Sequence, residues 1–216
     1  MHKSIKNLQD INRELVEEIK ENSLPNIIAV SKTFPISEIV PLVNHGHIHF
    51  GENKIQEAIN KWTDTKIKYP HIKLHLVGKL QTNKVKYAVN FFDFIHSLDS
   101  KKLALKISEE QKKQNKKIKL FIQVNIGEEE QKSGIDQENL KDLYNYSKEL
   151  NLDIIGLMCI PPLHGDTELY FQKMNILNKE LNLKELSMGM SADYIEATKN
   201  FSTYIRIGSK IFGSRN

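Results

Sequence analysis

Lys32 lies at the end of an apolar run, where its amine could do covalent chemistry. The run, residues 27–31, is short, rich in β-branched side chains and flanked by prolines, which is typical of a buried strand. Successive strand residues point to opposite faces, so Lys32 shares a face with Ile28 and Val30. A strand-end lysine usually extends its ammonium into water. The alternative is an amine whose pKa is lowered by burial or a nearby cation, so that it attacks a carbonyl and forms a Schiff base.

A second group of candidate functional residues lies near the carboxyl terminus. Arg206 and Gly208 share one strand face, Ser209 follows them, and Ser191 precedes a helical segment as a candidate N-cap. Ordinary capping and turn chemistry would explain each serine alone. An inward arginine, however, needs a partner because it does not lose its charge. One ligand that fits all of these groups is an aromatic aldehyde with a ring nitrogen and a phosphate. Its aldehyde would react with Lys32, its ring nitrogen would contact Arg206, and its phosphate would bind to Ser191, Gly208 and Ser209.

These residues can meet only if the fold brings the first and last strands together. Apolar residues recur at helical spacing near the N terminus, from Ile5 to Ile19, and strand and helix patterns then alternate. The predicted strands are residues 27–31, 47–50, 73–77, 91–96, 119–125, 153–160, 186–190 and 204–207. The predicted helices between them are residues 37–44, 53–63, 82–89, 100–114, 137–150, 167–181 and 192–200.

This alternation predicts an α/β fold built of parallel βαβ units. Dividing 216 residues by eight gives 27 per unit, in the lower range of the (β/α)8 TIM barrel, which starts at about 200 residues. We therefore predict one barrel domain over residues 1–216, with an amphipathic helix within residues 1–22 packed on its outside or base. An open doubly wound sheet is the alternative. Only the closed barrel makes strands one and eight neighbours and so places Lys32 beside Arg206.

The sequence also resembles the pyridoxal phosphate homeostasis protein family, the YggS/PROSC group, over nearly all of residues 27–213. The matching runs are Ala29-Val30-Ser31-Lys32-Thr33, Phe50-Gly51-Glu52-Asn53, Val77-Gly78-Lys79-Leu80-Gln81-Thr82-Asn83-Lys84, Gly156-Leu157-Met158, Leu186-Ser187-Met188-Gly189-Met190-Ser191, Arg206-Ile207-Gly208 and Ile211-Phe212-Gly213. The Ser-Met-Gly-Met-Ser run together with Arg-Ile-Gly is specific to that group.

The resemblance implies a barrel of the alanine racemase N-terminal-domain type that binds pyridoxal phosphate as an aldimine on Lys32. Three positions depart from the family pattern: Lys54, Phe201 and Ser209 stand where an aromatic residue, a glycine and a threonine are usual. These departures leave the lysine, the arginine and a hydroxyl in place. The further cofactor-binding residues that the resemblance implies are Asn53 and Met190 beside the cofactor, Arg206 at the pyridine nitrogen, and Ser191, Gly208 and Ser209 at the phosphate.

The resemblance further implies a role in vitamin B6 balance and in amino-acid and keto-acid homeostasis. An arginine against the pyridine nitrogen keeps that nitrogen unprotonated and weakens the cofactor as an electron sink. Racemisation also needs an acid/base on each face of the substrate, and related racemases take the second one from an additional domain and a partner subunit. We therefore predict a cofactor carrier and buffer without substantial turnover, which could supply apo-enzymes that use pyridoxal phosphate. A residual racemase is an alternative.

A metal-dependent barrel hydrolase is a second alternative. His47 and His49 lie two apart on a predicted strand, and His75 and His96 also occupy strand positions, so they could form a zinc site. No His-Glu-x-x-His run accompanies them, and polar strand and turn roles explain them better than a metal site does. A structural interaction module is a third alternative, but it leaves the pairing of Lys32 with Arg206 unexplained.

The composition favours a cytoplasmic protein without nucleic-acid or membrane partners, and we further predict a monomer. The net charge is +4, from 31 basic and 27 acidic residues, which falls short of a concentrated basic footprint. The lysine-rich stretch at residues 112–117 carries no aromatic residues for base stacking. We recognise no signal or transit segment, and the single cysteine, Cys159, lies in an apolar run without a disulfide partner.

Overall fold

The computed structural model describes residues 1–19, 23–129 and 133–213. Over these residues, eight parallel strands close into a barrel in sequence order, with the first strand paired to the last. The predicted (β/α)8 barrel is confirmed, and the open doubly wound sheet is wrong. The strands are β1 (Asn26–Val30), β2 (His49–Glu52), β3 (Lys73–Leu76), β4 (Phe94–Leu98), β5 (Lys119–Gln123), β6 (Asp153–Met158), β7 (Glu185–Ser187) and β8 (Tyr204–Ile207).

Helices surround the barrel and cover its outer face with an apolar core. The extra N-terminal helix is present as α1 (Lys3–Glu18), which buries Leu8, Ile11 and Leu15 and packs against α2 (Ile36–Asn44) and α9 (Ser209–Phe212). The last part of the predicted 1–22 segment, residues 20–22, lies outside the described residues. No helix in the described ranges is long and apolar enough to cross a membrane. The helices are α1 (Lys3–Glu18), α2 (Ile36–Asn44), α3 (Ile55–Lys68), α4 (Val85–Phe91), α5 (Lys101–Gln114), α6 (Gln137–Glu149), α7 (Thr167–Glu180), α8 (Tyr194–Lys199) and α9 (Ser209–Phe212), with a 3₁₀ turn at Thr82–Lys84 before α4.

Some predicted element boundaries are wrong for local reasons. The strand predicted at 91–96 begins only at Phe94, because Phe91 ends α4 and Phe92 caps it. A short apolar run does not distinguish a buried helix end from a strand. The strand predicted at 186–190 ends at Ser187, and Gly189 then adopts a φ of +90° that turns the chain away from extended geometry.

The interior of the barrel contains polar as well as apolar side chains. Its apolar members form a cluster separate from the outer core. The interior of a TIM barrel is usually filled by bulky branched residues, and a buried polar group is costly unless it is hydrogen-bonded. Here His75, His96, Ser187 and Arg206 are all buried. The apolar cluster consists of Ile28, Val30, Phe94, Phe121, Met158 and Tyr204.

Candidate functional site

A cavity of about 350 Å³ opens at the carboxyl ends of the strands, where β1 and β8 meet. This is the end of a (β/α)8 barrel at which functional groups are found. All seven residues that we predicted for the cofactor line this one cavity, so the closed barrel brings together positions that are up to 177 residues apart in sequence. The lining residues are Val30, Lys32, Asn53, Val77, Ile160, Met190, Ser191, Ala192, Arg206, Gly208 and Ser209.

Lys32 reaches the cavity from the end of β1. The ladder continues one residue past the strand, because the Ser31 N–H donates to the Gly51 carbonyl at 2.9 Å. Thr33 then adopts a left-handed φ of 69°, and its N–H donates to the carboxylate of Glu57 at 2.6 Å. Lys32 is half-buried between these two fixed points. The backbone on both sides of Lys32 is therefore fixed, and its side chain lines the cavity.

Behind Lys32, on the outer face of the sheet, lies a buried cluster that the sequence analysis missed. One carboxylate oxygen of Glu52 accepts hydrogen bonds from Ser31 Oγ at 2.7 Å, Trp62 Nε1 at 2.9 Å and Lys61 Nζ at 3.0 Å. Lys61 Nζ also donates to the Ser31 carbonyl at 2.9 Å. The cluster thus clamps the residue that precedes Lys32. The signal available in the sequence was that Glu52 occupies a strand position facing outward from the barrel, and that the next helix carries the chain's single tryptophan.

Arg206 forms the most unusual part of the cavity wall. Its Nη1 donates to Ser187 Oγ at 2.8 Å and its Nη2 to the Cys159 carbonyl at 2.8 Å. The residue is 5% exposed, and within the described ranges it has no carboxylate partner. Burial lowers the pKa of the guanidinium from its usual value, while Asp193 acts in the opposite direction. An arginine does not shed its charge in a protein, so the cavity contains a buried cation whose protein partners are both neutral.

Ser191, Gly208 and Ser209 lie together on the side of the cavity formed after β7 and β8. Our expectation that Ser191 is the N-cap of the following helix is wrong, since α8 begins at Tyr194 and Asp193 occupies its cap position. Ser191 Oγ instead accepts from the Lys210 N–H at 3.4 Å, at the beginning of α9. At Gly208 an added Cβ would lie 3.2 Å from the Val30 carbonyl, so the close approach of β8 to β1 favours glycine there.

Asn53 and Met190 complete the rim. Asn53 follows β2, and its backbone is so close to Gly78 that a Cβ at that glycine would overlap with it. Met190 is 38% exposed, and its N–H donates to Asp193 Oδ1 at 2.6 Å. The backbone of Asn53 is therefore closely packed against Gly78, whereas the side chain of Met190 remains open to solvent at the cavity mouth.

The three departures from the family pattern lie in different places. Ser209 lines the cavity. Lys54 does not, and lies instead in a neighbouring groove of about 240 Å³ with Lys79 and Lys84. Phe201 is half-exposed, carries Lys179 over its ring at 5.0 Å and adopts a φ of +69°, a left-handed conformation that glycine adopts without strain. Of the three departures, only Ser209 thus lies in the cavity, and it keeps a hydroxyl there.

The four candidate metal-binding histidines do not converge on one point. Among the described residues, no group of three or more His, Cys, Asp or Glu side chains is arranged to hold a metal ion. His49, His75 and His96 instead face one another in pairs, with nitrogen–nitrogen distances of 2.9 Å in both contacts. His47 lies before β2 and hydrogen-bonds to the His49 carbonyl at 2.9 Å. Hydrogen bonding therefore occupies the ring nitrogens that a shared metal site would require.

Known proteins are similar to this chain over most of its length. A family model described as "Alanine racemase, N-terminal domain" matches residues 6–216. A protein of Aquifex aeolicus named "Pyridoxal phosphate homeostasis protein" is 41% identical over 199 residues, which is 88% of this chain and 86% of that protein. A human protein of the same name is 36% identical over 213 residues, which is 89% of this chain and 77% of that protein. The solved structure of PipY from Synechococcus elongatus, described as having PLP bound, has a TM-score of 0.87 and 34% identity, and the match covers 97% of this chain and 100% of that one.

Proposed function

The chain belongs to the pyridoxal phosphate homeostasis protein family, and from this premise we propose that it binds pyridoxal phosphate in the cavity where β1 and β8 meet. In this proposal the aldehyde forms an imine with the amine of Lys32, Arg206 donates to the ring nitrogen, and Ser191, Gly208 and Ser209 receive the phosphate. Asn53 and Met190 lie beside the ring. A cavity of about 350 Å³ is within the range of small-molecule sites, which runs from about 300 to 1,000 Å³.

The observation that carries the proposal is the buried guanidinium of Arg206. A buried charge without an ionised partner is strongly unfavourable, and the hydroxyl and carbonyl that Arg206 contacts supply only neutral acceptors. Its two hydrogen bonds use two of five N–H donors. A ligand with an electron-rich ring nitrogen and a dianionic phosphate would supply both a further acceptor and negative charge in the same cavity.

The cavity supports binding better than turnover. Among its described lining residues, Lys32 and Arg206 are the only ones with titratable side chains. Moving a proton on both faces of a substrate α-carbon needs two general acid/bases, and Arg206 remains protonated. We therefore propose that the protein acts as one domain over residues 1–216 that carries and buffers pyridoxal phosphate, rather than as a racemase.

The decisive experiment compares the wild-type protein with Lys32→Ala. We expect the wild type, loaded with pyridoxal phosphate, to show the visible absorption band of an imine that borohydride abolishes, and reduction to leave a stable adduct on the peptide containing Lys32. Lys32→Ala should lose band and adduct while retaining its thermal unfolding temperature. Lys54→Ala is the matched control, since Lys54 is an exposed lysine outside the cavity, and it should behave as the wild type. A borohydride-sensitive band that persists in Lys32→Ala would overturn the proposal.

The carrier role needs a separate measurement. We expect the loaded protein to restore activity to an apo-enzyme that requires pyridoxal phosphate, and to show no sustained turnover with L-alanine or other amino acids. Chromatography with light scattering should report a monomer. Steady racemisation at enzyme-like rates would refute the carrier role without affecting the assignment of the cavity.

A further inference from the structure

A continuous row of polar side chains crosses the barrel interior and ends at Arg206. His49 Nδ1 lies 2.9 Å from His75 Nε2, and His75 Nδ1 lies 2.9 Å from His96 Nε2. His96 Nδ1 lies 3.0 Å from Ser187 Oγ, which accepts from Arg206 Nη1 at 2.8 Å. His75, His96 and Ser187 are fully buried, while His49 is half-buried at the start of β2. The row therefore joins the amino-terminal mouth of the barrel to the cavity at its opposite end.

The chemistry of Arg206 fixes the direction of every hydrogen bond in this row. A guanidinium only donates, so Ser187 Oγ accepts from it and its own hydrogen is free for His96 Nδ1. His96 then carries its proton on Nε2 and donates to His75 Nδ1, and His75 in turn donates from Nε2 to His49 Nδ1. The reverse direction would leave the hydroxyl hydrogen of Ser187 without an acceptor among the described residues. All contacts are thus satisfied when the three imidazoles are neutral.

The surroundings of the row favour this neutral state. His75 stacks on Phe94 at 4.1 Å between centroids, and His96 stacks on Phe121 at 4.3 Å. Burial lowers the pKa of both histidines well below the usual value, and the charge of Arg206 adds to this at His96. A neutral row has no ionised group with which to neutralise Arg206, so that charge remains available to a ligand.

We propose that Ser187 and His96, supported by His75 and His49, are positioning residues that hold Arg206 in the orientation required by the ligand's ring nitrogen and that couple this contact to the protonation state of His49. The proposal rests on the proposed ligand site and concerns how its arginine is held. Ser187 and the Cys159 carbonyl occupy one N–H on each terminal nitrogen of the guanidinium. Without Ser187 the guanidinium would keep only one of these anchors.

His49 is the member of the row that can exchange protons with solvent. An imidazolium at His49 carries hydrogen on both nitrogens, so its Nδ1 no longer accepts from His75. His49 faces His75 of β3 and the rings of Phe94 and Tyr204, and its carbonyl accepts a hydrogen bond from His47. The charged groups near it are Lys73 and Lys119, which lower its pKa, and Asp93, which raises it. Burial has the largest effect on the pKa of His49 and lowers it, so His49 becomes protonated at a lower pH than an exposed histidine does.

The test compares side chains of similar size that differ in one acceptor. Asparagine places an amide oxygen near the position of an imidazole Nδ1, so His96→Asn keeps the acceptor for Ser187 but interrupts the row, whereas His96→Leu removes the acceptor. We measure affinity for pyridoxal phosphate and the visible band from pH 5 to 8. We expect Ser187→Ala and His96→Leu to bind about 5- to 10-fold more weakly with a shifted band, and His96→Asn to keep near-wild-type affinity at pH 8.

The pH profile separates positioning from simple space-filling. The ligand phosphate titrates in every variant, so the contribution of the row is the difference between profiles. We expect the wild type to lose affinity at acid pH by more than His49→Gln and His96→Asn do, with the unfolding temperature of each variant recorded at each pH. Equal affinity and equal bands in Ser187→Ala, His96→Leu and wild type, or identical pH profiles in wild type and His49→Gln, would overturn the inference. Failure of the wild type to bind pyridoxal phosphate at all would instead overturn the proposed function.

Discussion

Replacing Lys61 by methionine should destabilise the protein more than any substitution in an exposed ion pair. Lys61 Nζ contacts Glu52 at 3.0 Å, and the two side chains are 9% and 0% exposed. The second carboxylate oxygen of Glu52 is also buried and has no hydrogen-bond partner among the described residues. Lys61→Met would therefore leave a buried carboxylate with hydrogen bonds from Ser31 and Trp62 but without its cation.

The expected loss follows from the degree of burial. Removing one partner of a buried ion pair costs about 3–5 kcal/mol, because the other charge stays buried. For a chain of this size each kcal/mol lowers the unfolding temperature by about 2–4 °C, so the loss corresponds to about 6–20 °C. The second ion pair of Lys61, with the more exposed Glu57, adds little. Arg13 and Asp10 form an exposed pair, with side chains 67% and 35% exposed, so Arg13→Met should cost less than about 1 kcal/mol.

Urea unfolding followed by circular dichroism, with calorimetry as a second probe, gives the free energies to compare. Glu52→Gln combined with Lys61→Met removes the unpaired charge and keeps an acceptor for Ser31 and Trp62, so the double variant should recover most of the loss. The reasoning is refuted if Lys61→Met costs no more than Arg13→Met, or if the double variant is no more stable than Lys61→Met. Because Lys61 also holds the Ser31 carbonyl, we expect the single variant to bind pyridoxal phosphate more weakly.

Further predictions concern acid sensitivity, the rigidity of the rim and the buried tryptophan. Burial lowers the pKa of His47 to about 4, so the unfolded chain binds this proton near pH 6.5 and the folded protein only near pH 4. The stability that depends on neutral His47 is therefore complete above about pH 6.5 and is lost as the pH falls towards 4. His47→Gln removes this titration, so its unfolding temperature should fall less between about pH 6.5 and about pH 4 than that of the wild type. Gly78→Ala introduces a Cβ that overlaps with the backbone of Asn53. We expect the free energy of unfolding in urea to fall by about 1–3 kcal/mol and titration to show weaker binding of pyridoxal phosphate. Unchanged affinity would show that the position of Asn53 does not matter for binding. Trp62→Phe removes the donor to Glu52 and should cost about 1.5–3 kcal/mol by urea unfolding, while a loss within error of zero would contradict a role for that hydrogen bond.

The sequence by itself determined the architecture and the proximity of Lys32 to Arg206, whereas Asn53 and Met190 were predicted only from the family resemblance. The regular alternation of strand and helix patterns was sufficient for a (β/α)8 barrel, because parallel strands require crossover helices and both faces of the sheet must be covered. Closure then made the ends of β1 and β8 neighbours, so strand parity alone placed Lys32 and Arg206 on the inner face. These predictions depend on periodicities of two and 3.6 residues, which are local properties of the chain.

Tertiary structure alone decided how those residues are held. Ser191 is not the predicted N-cap, because Asp193 occupies the cap position of α8, and Ser191 instead accepts a hydrogen bond at the beginning of α9. The histidines of β2, β3 and β4 were assigned only to a possible metal site or to polar strand and turn roles, whereas the barrel places His75 and His96 in hydrogen-bonded contact with each other and, through Ser187, with Arg206. Such contacts depend on the relative register of strands that are far apart in sequence, and no local pattern encodes that register.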